Sequence, residues 1–456
     1  MIKFINFVRN DGHSLRATFR DIGNVTTAAM ALFVIAVYAG FGRPIWIDEF
    51  LHFALGGYDS VLDVLAVIWK TTAEVNHGQT GTYMLLDYLL LEIFGANAVA
   101  LRLPSLLSGI FLLLSSFLFF EARRVGFIGR IGFLLAIVGQ ADLMHYVGEA
   151  RPYMPLAASA VGILAYYSVL PEDRGRWTVA VTGWVSVLLG ASMHPYFPAY
   201  WLSIALFCYW SAWFDGRRTA SIPDALAFAN LPLSIAGTAL VFVIGTLTWL
   251  RGGPSFAFHP FEWMVFGPWA TFTGLSHFQF IPDHALAFIV AAGVVPLLHL
   301  AAPRWAKPVL HGLVAPCVLI LLALALSVLV GVASYVRHYW ILPRQWVASA
   351  ALVPIGVVWL ACEVSRQFER LSPLAAGAFA ATALYGLSLT TLPVMQAKAV
   401  ELRDRMAAPS VPPAVMPVPP ESAPSDNDGW VALANRNIEA GGPVWTIYRL
   451  YYIRGY

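Results

Sequence analysis

Residues 80–95 read TGTYMLLDYLLLEIFG, and whether this stretch crosses a membrane or lies against one sets the orientation of everything after it. The surrounding chain is that of a membrane protein. Of 456 residues, 59% are hydrophobic and 12% charged, and the mean hydropathy is +0.68. No water-soluble globule of this length carries that balance. Apolar runs recur near 24–42, 98–120, 129–147, 152–170, 176–193, 196–214, 230–250, 284–302, 309–334, 344–362 and 372–392. Each suits a helix across the ~30 Å hydrocarbon layer. They lack the alternation of a β-barrel. The fold class is therefore an all-α polytopic membrane protein of about eleven transmembrane helices.

Residues 80–95 are short for a span and carry Asp87 and Glu92. They read as an amphipathic helix in the outer interface. Counting them as a span would turn the arginines that follow to the outside. Left out, they let the inside connections hold Arg123, Arg124 and Arg130; Arg174 and Arg176; Arg217 and Arg218; Arg304 and Lys307; Arg366 and Arg370. That is the positive-inside pattern at every inner connection, with the N-terminus in and the C-terminus out. Residues 58–73, with Asp59, Asp63 and Lys70, read as a second surface helix. The first outer loop, 43–97, is long enough to be functional. A later outer loop, 251–283, carries Arg251, His259, Glu262, His277, Asp283 and several aromatics. The segment 393–456 reads as an extracytoplasmic tail with a Pro-rich linker at 407–428. Its run Val444–Tyr448 is either a strand or part of a docked tail. The N-terminal segment, with Lys3, Arg9, Arg16 and Arg20, has no cleavage pattern. Cys208, Cys317 and Cys362 fall inside apolar runs and read as core residues, without disulfide or metal knuckle.

Charge gathers at the predicted outer helix ends. Trp46-Ile47-Asp48-Glu49-Phe50 follows the first span. Asn76-His77-Gly78-Gln79 precedes the surface helix. Glu149-Ala150-Arg151-Pro152-Tyr153 joins the third and fourth spans, and His194-Pro195-Tyr196 follows the fifth. Arg337-His338-Tyr339 and Arg344 follow the ninth. Outer arginines do not aid insertion, and a guanidinium fork matches phosphate oxygens. A carboxylate nearby can take a proton from an attacking hydroxyl. Plainer readings stand beside these. Asp48 and Glu49 suit a solvated helix N-terminus. Arg151 suits a salt bridge to Glu149, Arg337 and Arg344 suit lipid headgroups, and His77 and His194 suit interfacial hydrogen bonds.

The order of these motifs resembles the GT-C superfamily of membrane glycosyltransferases, in the branch of the protein O-mannosyltransferases and lipid A aminoarabinose transferases. The resemblance rests on Asp48-Glu49 after the first span; on Phe94-Gly95 followed by Ala100-Leu101-Arg102-Leu103-Pro104-Ser105; on Ala150-Arg151-Pro152-Tyr153; and on Val336-Arg337-His338-Tyr339 with Leu342-Pro343. It covers residues 24–170 well and the rest by layout. One departure is Gly78-Gln79 where the family has prolines after the histidine.

The resemblance implies a GT-C-like transmembrane domain over residues 1–392. It also implies inverting transfer of a sugar from a polyprenyl-phosphate donor to a hydroxyl on a glycan, lipid or protein acceptor. Asp48 and Glu49 would be the catalytic pair, with Asp48 the base. His77, Tyr83, Arg102, Glu149, Arg151, Tyr153, His194, Arg337, His338 and Arg344 would bind donor phosphate and substrate. No cofactor is required by this chemistry, although Asp48, Glu49 and Glu149 offer ligands for a divalent cation. Membrane lipids are partners, nucleic acid is not, and the setting is the periplasmic side of a bacterial inner membrane. Two other readings are a polyprenyl-lipid flippase and an oligosaccharyltransferase or ligase moving a preassembled glycan. A flippase should carry charge at the midplane of its spans, where this chain has almost none.

Overall fold

The computed structural model describes residues 60–71, 80–95, 98–249, 285–336 and 346–407, with scattered positions before them that include Glu49 and His52. Among the described residues every regular element is helical and there is no strand. Two short helices come first, α1 (Val61–Thr71) and α2 (Thr82–Phe94). Then follow α3 (Ala98–Ala122), α4 (Phe127–Val138), α5 (Ala141–Val147), α6 (Tyr153–Ser168), α7 (Trp177–Met193) and α8 (Phe197–Phe214). The rest are α9 (Ile222–Ala229), α10 (Leu231–Trp249), α11 (Ala285–Ala301), α12 (Lys307–Val336), α13 (Val347–Leu371) and α14 (Pro373–Ala407). Four are long and apolar enough to cross a membrane: Val99–Ala122, Lys307–Ala333, Val347–Arg370 and Pro373–Val400. A bent pair, Ile222–Ala229 with Leu231–Ile244, adds a fifth if it counts as one span. The protein is thus a helical, multi-pass membrane protein by length and composition.

Ten of the eleven predicted runs coincide with described helices; the run 24–42 lies largely outside the described residues. Three differ in detail, one of them 344–362, whose helix α13 runs on to Leu371. The run 129–147 is broken into α4 and α5 at Gly139-Gln140, where the Gly139 amide closes the first helix on Leu135 O. The run 372–392 continues as α14 to Ala407, so the first residues of the predicted tail are helical. At ~1.5 Å per residue this helix outruns the ~30 Å apolar layer, and Pro393 interrupts none of it because neighbouring turns carry the helix past the missing N–H. The loop 251–283, the linker from 408 and the run Val444–Tyr448 lie outside the described residues.

The core is built around α6. All sixteen of its residues are buried, the signature of a helix that is apolar on every side and enclosed by others. Helices α3, α7, α8 and α13 pack directly on it. Small residues let α7 approach: a Cβ on Gly183 would sit 2.5 Å from the Tyr166 ring. Aromatic rings of Phe119, Phe120, Phe133 and Trp359 meet edge to face where α3, α4 and α13 converge. Cys208 and Cys317 are buried and all three cysteines are free, as core residues should be.

One end of the bundle gathers the arginines. Arg366 donates to the carbonyls of Arg123 and Arg124 at 3.1 and 2.6 Å. Arg123 lies 3.7 Å from Asp215, Arg176 3.6 Å from Glu121, and Arg218 pairs with Glu172. Arg174 is enclosed by the rings of Tyr166, Tyr167 and Phe228, 4.4 to 4.9 Å away. These residues come from four of the connections that the charge pattern puts on one side, so packing and the positive-inside count agree on which helix ends lie together.

The surface pair α1–α2 forms at the other end. Val64 and Ile68 pack against Met84 and Tyr88. Gly81 opens α2 with φ +74, and a Cβ there would lie 2.3 Å from Ile68 Cγ2, so both backbone and space require glycine. Helix α2 buries Met84, Tyr88 and Leu91 together with one acid, Asp87, and exposes the other, Glu92. Leu89, Ile93 and Phe94 face outward, whereas Tyr83 and Asp87 are buried.

Candidate functional site

The site begins with a carboxylate that the fold has enclosed. Glu49 is 0% exposed. Arg102, on the second turn of α3, donates from Nε to Oε1 at 2.8 Å and from Nη2 to Oε2 at 2.6 Å. This is a two-bond fork, the geometry guanidinium offers and ammonium does not. The Ala150 amide donates to Glu49 Oε1 at 2.9 Å. Three segments far apart in the chain are tied at one carboxylate. A solvated helix terminus is thereby excluded for Glu49.

Ser105 is one turn beyond Arg102 and points the same way. Its hydroxyl donates to Glu149 O at 2.6 Å and lies 3.2 Å from Arg151 O. Since serine has one hydrogen to give, the Tyr83 hydroxyl, 2.7 Å from Ser105 Oγ, is the donor in that bond. The Ala-Leu-Arg-Leu-Pro-Ser motif therefore has a physical content. Its arginine holds the acid and its serine holds the backbone of the Glu-Ala-Arg connection.

That connection bridges α5 and α6. Glu149 is buried, with Oε2 3.2 Å from His145 Nε2, and among the described residues its Oε1 has no hydrogen-bond partner. The Arg151 guanidinium lies 5.9 Å from the Tyr153 ring centroid. Tyr153 in turn tilts against His194, 6.0 Å between rings. His194 is buried after α7 and accepts the Tyr196 amide at Nδ1, 3.2 Å, so its proton sits on Nε2.

Burial lowers the pKa of His194 to about 3. The unfolded chain, with a histidine pKa of ~6.5, takes up a proton before the folded chain does. This contribution is therefore intact above the unfolded value and is lost as pH falls from there toward the folded value. Between about pH 7 and about pH 5 the loss should be on the order of 2 kcal/mol. His194→Gln is expected to flatten that part of the melting-temperature profile. An unchanged profile would mean that His194 is not held neutral.

A second polar pair lies beside the first. His52 Nδ1 and Asp87 Oδ2 are 2.7 Å apart, both fully buried. The distance alone suits an ion pair, but the surroundings favour the neutral forms. Burial, with the Arg151 charge second, holds His52 well below its usual pKa, and burial, with Glu49 second, holds Asp87 well above. Both shifts place the proton on Asp87, which donates to Nδ1. The His52 ring meets the Tyr83 ring edge-on at 5.5 Å.

Of the predicted site residues, Glu49, Tyr83, Arg102, Glu149, Arg151, Tyr153 and His194 converge at this end of the bundle. Asp48, His77, Arg337, His338 and Arg344 lie outside the described residues. Sequence reasoning passed over His52, Asp87, Ser105 and His145. The signals were present: His52 is three residues beyond Glu49, His145 is i,i+4 to Glu149, Ser105 is one turn beyond Arg102, and Tyr83 and Asp87 share one face of a 3.6-residue period. Among the described residues no three acid, histidine or cysteine groups stand where they share a metal site. Glu49, spanned by the Arg102 fork and the Ala150 amide, does not fit as a metal ligand. No protein-family model, curated protein or solved structure matches the chain.

Proposed function

We propose that this protein is a GT-C-type glycosyltransferase of a bacterial inner membrane, with about eleven spans, its N-terminus inside and its site on the extracytoplasmic side. It moves a sugar from a polyprenyl-phosphate donor to a hydroxyl acceptor. The observation that carries the reading is the junction at Glu49. The acidic pair, the Ala-Leu-Arg-Leu-Pro-Ser segment and the Ala-Arg-Pro-Tyr segment, which bear the resemblance, are tied there by Arg102, Ala150 and Ser105. The junction lies at the end of the bundle away from the arginine-rich connections.

In this reading Asp48 is the base and Glu49 its anchor. The acceptor oxygen attacks the anomeric carbon, its proton passes to Asp48, and the bond from that carbon to the phosphate oxygen breaks with its electron pair leaving on the lipid phosphate. Attack from the face opposite the leaving group inverts the centre without a covalent enzyme intermediate. Arg151, Arg337 and Arg344 offset the charge that grows on the phosphate. The Nε2–H of His194 offers a donor to a sugar oxygen.

The direct test is donor binding. A charge-assisted contact to phosphate contributes roughly 1.5–3 kcal/mol, so Arg151→Gln, Arg337→Gln and Arg344→Gln should each weaken polyprenyl-phosphate-sugar binding by about ten- to a hundredfold. Lysine at the same positions should rescue only in part, because it restores charge without the fork. Wild-type binding by all three glutamine variants would remove the lipid-phosphate reading. If Arg151 serves only Glu149, the double change Glu149→Gln with Arg151→Gln should bind no worse than either single change.

Topology has its own test. In a background without Cys208, Cys317 and Cys362, a cysteine at position 124 should react only from the cytoplasmic side and one at 430 only from the outer side. Reaction of both from one side would overturn the eleven-span arrangement.

A further inference from the structure

The neutral His52–Asp87 pair leaves polar atoms over. Among the described residues His52 Nε2, Asp87 Oδ1 and Thr80 Oγ1 are buried and have no hydrogen-bond partner. Folded proteins rarely bury one such atom without a reason, and here two belong to one hydrogen-bonded pair while the third stands just before α2, the helix that carries Asp87. Asp87 lies one turn beyond Tyr83 on the buried face of α2, and Thr80 stands just before that helix, ahead of the Gly81 cap. His52 closes that face through Asp87 and the Tyr83 ring. The apolar residues Leu89, Ile93 and Phe94 take the outward face instead. Asp87, turned inward on α2 while Glu92 faces out, leaves an atom to be satisfied by something other than bulk water.

We propose that His52, Asp87 and Thr80 form a hydroxyl-binding subsite for a sugar, beside the Glu49 junction. A hydroxyl both donates and accepts, and the pair presents one atom of each kind. With the Asp87 proton held on the carboxyl and donated in a hydrogen bond to His52 Nδ1, the neutral ring carries its own hydrogen on Nε2 and donates, while Asp87 Oδ1 accepts. Thr80 adds a hydroxyl that rotates to suit either role. A phosphate would find no full positive charge on these three residues, and an apolar chain would leave all three atoms unpaired. The alternative occupant, ordered water, satisfies the same atoms without selecting any ligand. The subsite rests on the glycosyltransferase reading for its choice of a sugar, yet binding can be measured without turnover.

The test uses the full chain in lipid nanodiscs and the methyl glycosides of mannose, glucose, galactose and arabinose, with affinities from saturation-transfer titration. The wild type should bind at least one. His52→Phe and Asp87→Leu should weaken that binding by about tenfold, the loss of neutral hydrogen bonds. Asp87→Asn should stay within about threefold of wild type, because the amide N–H still donates to His52 Nδ1 and the amide oxygen still accepts. Thr80→Val keeps size and shape, so it carries the test if His52→Phe does not fold; about threefold weaker binding is expected. Wild-type affinity in every folded variant of His52, Asp87 and Thr80 overturns the subsite, as does a wild type that binds none of the four glycosides, the result for water as sole occupant. Sugar binding that depends on His52 in a protein without transfer activity supports the subsite and removes only the transfer reading. Transfer that proceeds with glycoside affinity unchanged in the variants removes only the subsite.

Discussion

Arg102→Met is expected to destabilise the protein by about 3–5 kcal/mol, because it strands the Glu49 carboxylate in a buried setting without its fork. Glu49 would keep the Ala150 amide as a donor. Arg102→Lys should recover only part of the loss, since an ammonium cannot make the two parallel bonds. The double change Glu49→Gln with Arg102→Met should recover much more. It removes the charge that needs a partner, and buried ion pairs replaced on both sides are often close to neutral. Thermal unfolding in detergent, with the lipid present and fixed, reads all three. This series separates two roles for Arg102. A residue kept for donor phosphate would leave the ligand-free protein as stable after substitution as before. A residue that anchors Glu49 would not, and a wild-type melting temperature for Arg102→Met would refute the anchoring role.

Asp48→Asn is expected to abolish sugar transfer while the protein keeps its wild-type melting temperature and donor affinity. The substitution preserves size and removes only the proton acceptor. The loss should be at least the 10²–10⁴-fold that a positioned base contributes. Glu49→Gln should behave differently. The amide replaces an acceptor oxygen with a donor facing the Arg102 fork or the Ala150 amide, so the loss should appear in stability as well as rate. Transfer at the wild-type rate by folded Asp48→Asn would remove Asp48 from the mechanism. Equal kinetic and stability losses in the two variants would remove the division of labour between neighbours.

The sequence motifs were legible before their meaning was. Arg102 stood out inside a recognisable pattern, and an arginine near an outer helix end invites a phosphate. The structure turns it onto Glu49, 53 positions away in the chain. Nothing in local spacing distinguishes a phosphate-binding arginine from one that spans a carboxylate, because the fork fits both equally. Glu149 shows the same limit. Its neighbour Arg151 invited a salt bridge, whereas the carboxylate meets His145 one helical turn back. Asp87 was legible as a charge too costly for a span, and this counts against residues 80–95 as a transmembrane helix. Its inward direction was not, since an amphipathic helix against lipid ordinarily sends its acids to water.

What the sequence by itself determined is the class and the placement of helices. Long apolar runs in lipid have one open solution, a helix that satisfies its own backbone, and ten of the runs coincide with described helices. The arginines marked which connections lie together, because charge is excluded from the apolar layer whatever the helices do next to each other. Only the tertiary structure decided which polar groups meet. The break at Gly139-Gln140, the closure of Glu49 by Arg102 and Ala150, and the burial of His52 with Asp87 all depend on how whole helices pack. Packing is set by shape summed over many side chains: the small faces of α6 and α7, the Gly81 turn and the rings around Trp359. A buried acid costs too much to stand alone, so once packing encloses Glu49 and Asp87 their partners are forced.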